Sequence, residues 1–240
     1  MPLPKIATPF YELELPSSGQ IVEYRPFLVK EEKLLVLAME TQDQKQITKA
    51  IKEVLKSCIR TADIKVEDLP TFDIEYLFLN IRGKSVGEEI ELNIIAPDDE
   101  VTEIPVVINI DDIQVTKVED HKPEIDLGGG LMMRLKYPSL QQFISDNFDM
   151  SEGGSQVEKT FDLIAACVDT IYSADEAWSA ADVTKKELQG FLDQLNTKQF
   201  QEIESFFETM PKLSHTLEVK NPKTKKKSEV VLEGLSSFFA

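Results

Sequence analysis

The sequence has little of what a chemical site needs. Its 240 residues include two cysteines, two histidines and one tryptophan. His121 and His215 stand apart from any nucleophile motif such as Gly-x-Ser-x-Gly. The glycine run at 128–130 is followed by a strand-like segment, whereas a phosphate loop continues with Lys-Ser/Thr and a helix. We therefore predict a non-enzymatic protein with no catalytic residue and no cofactor.

The acidic turns also lack the spacing of a metal site. Asp98, Asp99, Glu100, Asp111 and Asp112 do not alternate as calcium ligands do, and they lack the bidentate glutamate and the sharp glycine. We interpret them as solvated turns and predict no metal site. The chain has 43 acidic residues and therefore many carboxylate pairs, but no pair is singled out. An enzyme that uses such a pair is a distant alternative.

Long apolar runs are absent as well. No stretch approaches the ~20 apolar residues of a membrane-spanning helix, and the N-terminus lacks the basic-then-apolar layout of a secretion signal. We expect a soluble protein that is made in a cytoplasm and has no membrane partner. Cys58 and Cys167 lie in apolar helical patterns, so we expect two buried free thiols, with a disulfide as the alternative.

Negative charge is abundant and unevenly distributed. The net charge is −17, and residues 61–200 alone hold 29 acidic against 11 basic side chains. Such a surface repels phosphates, which argues against nucleic acid as a partner. It suits a basic protein partner, and solubility alone is the other explanation.

Helical and strand patterns alternate along the first part of the chain and predict an α+β fold. Residues 10–15 and 21–25 flank a Pro-Ser-Ser-Gly turn and indicate a β-hairpin. Apolar spacing then predicts helices at 30–40, 43–59 and 71–82, with Thr71 as a cap for the last. β-branched, alternating segments follow at 89–95, 104–110, 113–118 and 131–135. We predict one antiparallel sheet over 88–136 within a domain of residues 1–150, and the N-terminal hairpin is a candidate extension of this sheet.

The pattern changes after residue 138. A short helix is predicted at 139–148, and the Gly-Ser segment 151–155 is the best domain boundary. Further helices are predicted at 157–173, from Thr184 with Glu187 in capping-box spacing, and from Thr197. A polar loop at 175–182 holds the only tryptophan, and a hairpin at 215–219 and 229–232 closes the chain. We predict a small helical domain over residues 151–240, closed by this hairpin.

Two features are candidates for contact with a partner. The first is the basic turn of the last hairpin, with Lys223, Lys225, Lys226 and Lys227. A solvated turn is the alternative explanation, and the lack of interleaved aromatics makes nucleic acid a poor partner. The second is the tail, with Phe238 and Phe239. These rings either form a binding patch or dock on the chain itself, where Phe206 and Phe207 are the expected neighbours.

Three segments of the chain resemble the baseplate hub assembly protein family of T-even-like contractile-tailed bacteriophages. They are the first hairpin with residues 24–33, the apolar segment 72–88 with Arg82 and Gly87, and residues 206–239 with the last hairpin. Members of that family can carry a Cys-Pro-x-Cys knuckle at the last hairpin tip. This chain has Asn221-Pro222-Lys223-Thr224 there, so the resemblance implies no zinc site.

The resemblance implies a chaperone-like, non-enzymatic factor that binds hub or tape-measure proteins during tail assembly in the host cytoplasm. The alternative is a permanent component of the virion tail baseplate hub. The sequence decides neither between these two roles nor the oligomeric state.

Overall fold

The computed structural model describes residues 6–41, 43–140 and 156–238, and the α+β fold is confirmed. The described residues contain six α-helices: α1 (Val29–Glu40), α2 (Gln44–Cys58), α3 (Thr71–Val86), α4 (Gln156–Cys167), α5 (Lys185–Leu192) and α6 (Thr197–Thr209). Short 3-10 turns lie at Val66–Asp68, Ile110–Asp112 and Leu235–Phe238.

Eleven strands in the described residues pair antiparallel and form four sheets. The strands are β1 (Tyr11–Glu14), β2 (Ile21–Tyr24), β3 (Glu89–Ile95), β4 (Glu103–Asn109), β5 (Gln114–Thr116), β6 (Glu124–Gly128), β7 (Leu131–Leu135), β8 (Val168–Tyr172), β9 (Ala177–Ser179), β10 (Lys212–Lys220) and β11 (Lys227–Glu233). The sheets are β1-β2, β3-β4, β11-β10-β5 and β6-β7-β8-β9. The single sheet predicted over 88–136 is therefore wrong, and the first hairpin forms a sheet of its own.

Helix α3 lies in the centre of the first core. Apolar side chains occur all around it, and Ile74, Leu77 and Ile81 are fully buried, as expected for a helix covered on every side. The first hairpin, α2 and the strands around β3 pack on it. Gly83 allows a close approach, because a Cβ there would lie 2.6 Å from the Cδ1 atom of Ile110.

The second core lies between the β6–β9 sheet and the later helices. Met133 and Ile171 face Leu188 of α5 and Phe206 of α6 within one buried cluster. A row of rings joins this cluster to the first core. His121 lies 5.5 Å from Tyr137 and 5.0 Å from Phe206, measured between ring centroids, and Tyr137 also contacts Phe72.

Two segments of the second core differ from the prediction. The helix predicted over 157–173 ends at Cys167, and β8 follows directly. The β-branched and aromatic residues of β8 fit a strand, and pairing with β7 satisfies their backbone groups. The loop predicted at 175–182 contains β9, in which Trp178 pairs with Ile171.

Helix starts were predicted to within a residue. Thr184 and Glu187 form the predicted capping box. The cap of α6 is Asn196 with Gln199, one residue before the predicted start. Thr71 is the first residue of α3 rather than its cap, because Pro70 occupies the N-cap position.

The terminal hairpin forms as predicted, but it joins the first core. β10 pairs with β5, and Leu213 is buried there. The second core in turn draws Ile125 and Met133 from β6 and β7. The division into residues 1–150 and 151–240 stays a prediction, because the Gly-Ser boundary at 151–155 lies outside the described residues. The helix predicted at 139–148 also lies outside them beyond Leu140.

Cys58 and Cys167 are buried thiols that form no disulfide, as predicted. Burial raises the pKa of the Cys58 thiol to about 11, which keeps it protonated and unreactive at neutral pH. None of the helices within the described ranges is long and apolar enough to cross a membrane.

Candidate functional site

The basic turn is the surface that the sequence singles out and the structure exposes. It lies at residues 221–226, between β10 and β11, and the side chains of Lys223, Lys225, Lys226 and Lys227 are all exposed. Lys227 pairs with Glu218 on the neighbouring strand, with a Nζ–Oε1 distance of 2.5 Å. Among the ion pairs within the described residues, none involves the other three lysines. The turn therefore presents positive charge to solvent.

Hydrogen bonds to the buried Asn221 fix the conformation of this turn. Its side chain is 1% exposed, and its Oδ1 atom accepts hydrogen bonds from the backbone N–H groups of Lys223 at 2.8 Å and Thr224 at 3.2 Å. The Asn221 carbonyl also accepts from the N–H of Lys225 at 2.9 Å. Lys225 has a positive φ of 64°, which costs a non-glycine residue on the order of 1 kcal/mol. These bonds hold Lys225 in that conformation.

The turn is also joined to the acidic turn between β3 and β4. The Nδ2 group of Asn221 donates to Asp98 Oδ1 at 3.0 Å and to Asp99 Oδ2 at 3.1 Å. Thr224 Oγ1 donates to Asp98 Oδ2 at 2.5 Å. The bond from Thr224, with that from Asn221, lowers the pKa of Asp98. A bond from the Thr102 hydroxyl is the main cause that lowers the pKa of Asp99. Both carboxylates stay ionised at neutral pH. Their hydrogen bonds with Asn221 and Thr224 hold the basic turn in place against the acidic turn.

Asn221 and Thr224 occupy the two places where the family resemblance would put cysteines. In this chain both side chains bond to Asp98, and the hydrogen bonds organise the turn. Within residues 6–41, 43–140 and 156–238, no cluster of His, Cys, Asp or Glu side chains is arranged to hold a metal ion.

Phe238 does not form a surface patch. Its side chain is 0% exposed and belongs to the first core, so the docking alternative describes it, and its expected role in direct partner contact is corrected. The expected neighbour is also different: Phe206 lies in the second core with Tyr137. The backbone bond from Gly234 N–H to the Leu213 carbonyl, 2.9 Å long, helps direct the tail inward. Phe239 lies outside the described residues.

Helix α1 carries an apolar outer face that the sequence reasoning missed. Val29, Val36, Leu37 and Met39 are each about half exposed or more, while Ala38 on the other side is buried in the first core. The signal was present in the sequence, because α1 is apolar around most of its circumference although only one side can face its own core. Glu32, Lys33 and Glu40 are also exposed on this face, and a mixture of apolar and charged side chains of this kind is common at interaction surfaces.

The β3–β4 hairpin carries a second exposed surface, which is acidic. Residues 85–116 include nine acidic and no basic side chains. The strands alternate, so Ile90, Leu92 and Ile94 are buried while Glu89 and Glu91 point to solvent. This face repels anions and complements a basic surface.

Comparison with known proteins assigns the chain to a family. The family model described as T4 bacteriophage base plate protein matches residues 8–240. A baseplate hub assembly protein of Enterobacteria phage T4 is 23% identical over 229 residues, which cover 95% of this chain and 97% of the relative. No solved structure matches. The predicted resemblance is confirmed: the chain belongs to the family of T4 bacteriophage base plate proteins.

Proposed function

We propose that this protein is a non-enzymatic, chaperone-like assembly factor that binds hub or tape-measure proteins while the phage tail is built in the host cytoplasm. The observation that carries the proposal is the end-to-end match to a protein whose name assigns it to baseplate hub assembly. A match that covers nearly the whole of both chains supports a shared role for the whole molecule rather than for one module.

The surfaces of the molecule support a role in protein contact. The apolar face of α1 offers area for burial, and the acidic face of β3–β4 offers complementary charge for a basic partner. The braced turn with Lys223, Lys225, Lys226 and Lys227 is the proposed contact for an acidic patch on a partner. Phe239 stays a proposed contact of the tail, while Phe238 anchors the tail to the core.

A permanent structural role in the virion baseplate hub is the second candidate. It is favoured by the family description, which names the base plate itself rather than its assembly. Quantitative mass spectrometry of purified mature particles separates the two roles. An assembly factor is absent from particles but present in assembly intermediates, whereas a structural component is present in both at a fixed ratio.

The contact role of the basic turn has a direct test. Replacing Lys223, Lys225 and Lys226 with glutamate should abolish co-purification of hub proteins from infected cells, without lowering the melting temperature. A matched control replaces Lys65, Lys122 and Lys198, which are exposed elsewhere, so the net charge changes equally. Loss of hub proteins in both variants would mean that overall charge, not the turn, governs binding. Retention in the first variant would remove the turn as a contact.

A further inference from the structure

Helix α5 does not cover the β6–β9 sheet as far as its β9 edge. Met133, Ile171 and Trp178 lie side by side across β7, β8 and β9, and their exposures rise from 0% through 7% to 43%. Helix α5 lies over the first two residues through Leu188. The only tryptophan of the chain is therefore half uncovered at the rim of an otherwise closed core, although burying it would be strongly favourable.

A groove lies where the cover ends. It has a volume of about 290 Å³, and six apolar side chains line it: Leu131, Ile171, Trp178, Val183, Leu188 and Phe191. We call it the Trp178 groove. The volume is enough for one or two bulky apolar side chains and too small for a folded element. Partly exposed tryptophan in such a setting is typical of positions that dominate protein–protein binding energy.

The rim of the groove is acidic. Glu187 is the one charged side chain in its lining, and its carboxylate accepts from the N–H of Thr184 at 2.8 Å and from its hydroxyl at 2.7 Å. These bonds lower the pKa of Glu187 and keep it charged. Residues 168–187 contain five acidic and two basic side chains, so the net charge of the segment is −3. Of the two basic side chains, Lys185 pairs with Asp162 at 2.8 Å and Lys186 is exposed.

We propose that the Trp178 groove binds a segment of a partner protein that carries a bulky apolar side chain flanked by lysine or arginine. The apolar lining selects the anchor, and the acidic rim selects its basic neighbours. A second copy of this chain is a poor occupant, because its own basic turn carries no bulky apolar residue and two acidic rims repel each other. The inference rests on the proposed function, for which it names the chemistry of one partner contact.

The fluorescence of Trp178 can be used to measure binding at the Trp178 groove. The full-length protein is titrated with a short peptide that has Leu-Phe-Leu at its centre and two lysines at each end, and the emission of Trp178 is followed. We expect a saturable blue shift, because the peptide covers the indole. Two matched peptides, with glutamate for lysine or alanine for the apolar centre, should bind at least about tenfold more weakly. Equal binding of either matched peptide, or no binding of the first, would overturn the proposal.

Variants place the peptide in the groove. By calorimetry, Trp178→Ala should weaken the binding of the first peptide at least about tenfold. Ile21→Ala, at an exposed apolar residue of β2, should leave that binding unchanged. Unchanged binding to a folded Trp178→Ala protein would overturn the assignment. A concentration-dependent dimer that Trp178→Ala abolishes would show a second copy as the occupant and would also overturn it. The proposed function is decided separately, by whether assembly intermediates contain the chain and mature particles lack it.

Discussion

Glu31 connects three elements of the first core through one carboxylate. It is 4% exposed in the first turn of α1. It accepts hydrogen bonds from Arg25 Nη2 at 2.8 Å, from the Leu28 N–H at 2.9 Å and from Ser57 Oγ at 3.1 Å. The Nζ atom of Lys30 lies 3.2 Å from the Oε1 atom of Glu31. Replacing Glu31 with glutamine keeps the shape of the side chain and removes its charge, so the variant isolates the electrostatic part of this contact.

The expected cost of Glu31→Gln follows from its pKa. Burial acts to raise the pKa of Glu31, but the bonds from Arg25 and from the Leu28 N–H outweigh it and lower the pKa from 4.5 to about 2. That difference corresponds to roughly 3 kcal/mol in favour of the folded state with an ionised Glu31. Lys30 is largely exposed, and solvent screening reduces the expected cost of Glu31→Gln to about 2 kcal/mol.

The dependence on pH distinguishes charge from packing. Because the folded pKa is the lower one, the contribution of Glu31 is complete above pH 4.5 and is lost as the pH falls toward 2. The free energies of unfolding of Glu31→Gln and the parent, measured in urea, should therefore differ by about 2 kcal/mol at pH 7. The difference should shrink as the pH falls below 4.5 and should vanish near pH 2. Glu32→Gln, at the exposed neighbouring position, should match the parent throughout. A difference that is the same at pH 7 and pH 3 would refute the reasoning.

Three further predictions concern other parts of the molecule. Asn221→Ala should lower the free energy of unfolding by about 1–2 kcal/mol, while Asn93→Ala, at an exposed position, should not. Burial lowers the pKa of His121, so the free energy of unfolding should fall as the pH drops below 6.5. In urea titrations, the free energy of unfolding of His121→Phe should fall less steeply with pH than that of the parent, and equal slopes would contradict this. Gly83→Ala should lower the free energy of unfolding by about 1 kcal/mol, and by less in an Ile110→Val background, which lacks the crowding Cδ1 atom. The same loss in both backgrounds, measured by calorimetry, would contradict this.

Local signals carried most of the correct sequence predictions. The first hairpin, the start of α3 and the Thr184 capping box depend on neighbouring residues, and all were predicted within a residue or two. The end of α4 was missed because the apolar residues of 164–171 fit a helical stripe, although Val168 and Ile171 also suit a strand. Pairing with β7 decided between the two, and no local signal contains that partner.

The arrangement of the helices and strands in space could not be predicted from local sequence patterns. β5 pairs with β10, almost a hundred residues later, and this pairing brings the terminal hairpin to the first core. For the same reason the exposed lysines of the basic turn were predictable from charge alone, but the bonds of Asn221 to Asp98 and Asp99 were not. The Trp178 groove depends on strand register and on where α5 ends, so it appears only in the folded chain.

Deleting the gene for this chain from its phage tests the central claim most directly. Infected cells would be lysed and their particles counted by electron microscopy, with the protein supplied from a plasmid as the control. The account predicts normal heads, few tails with complete baseplates, and recovery of those tails on complementation. Tails with complete baseplates in parental numbers, formed without the protein, would contradict it.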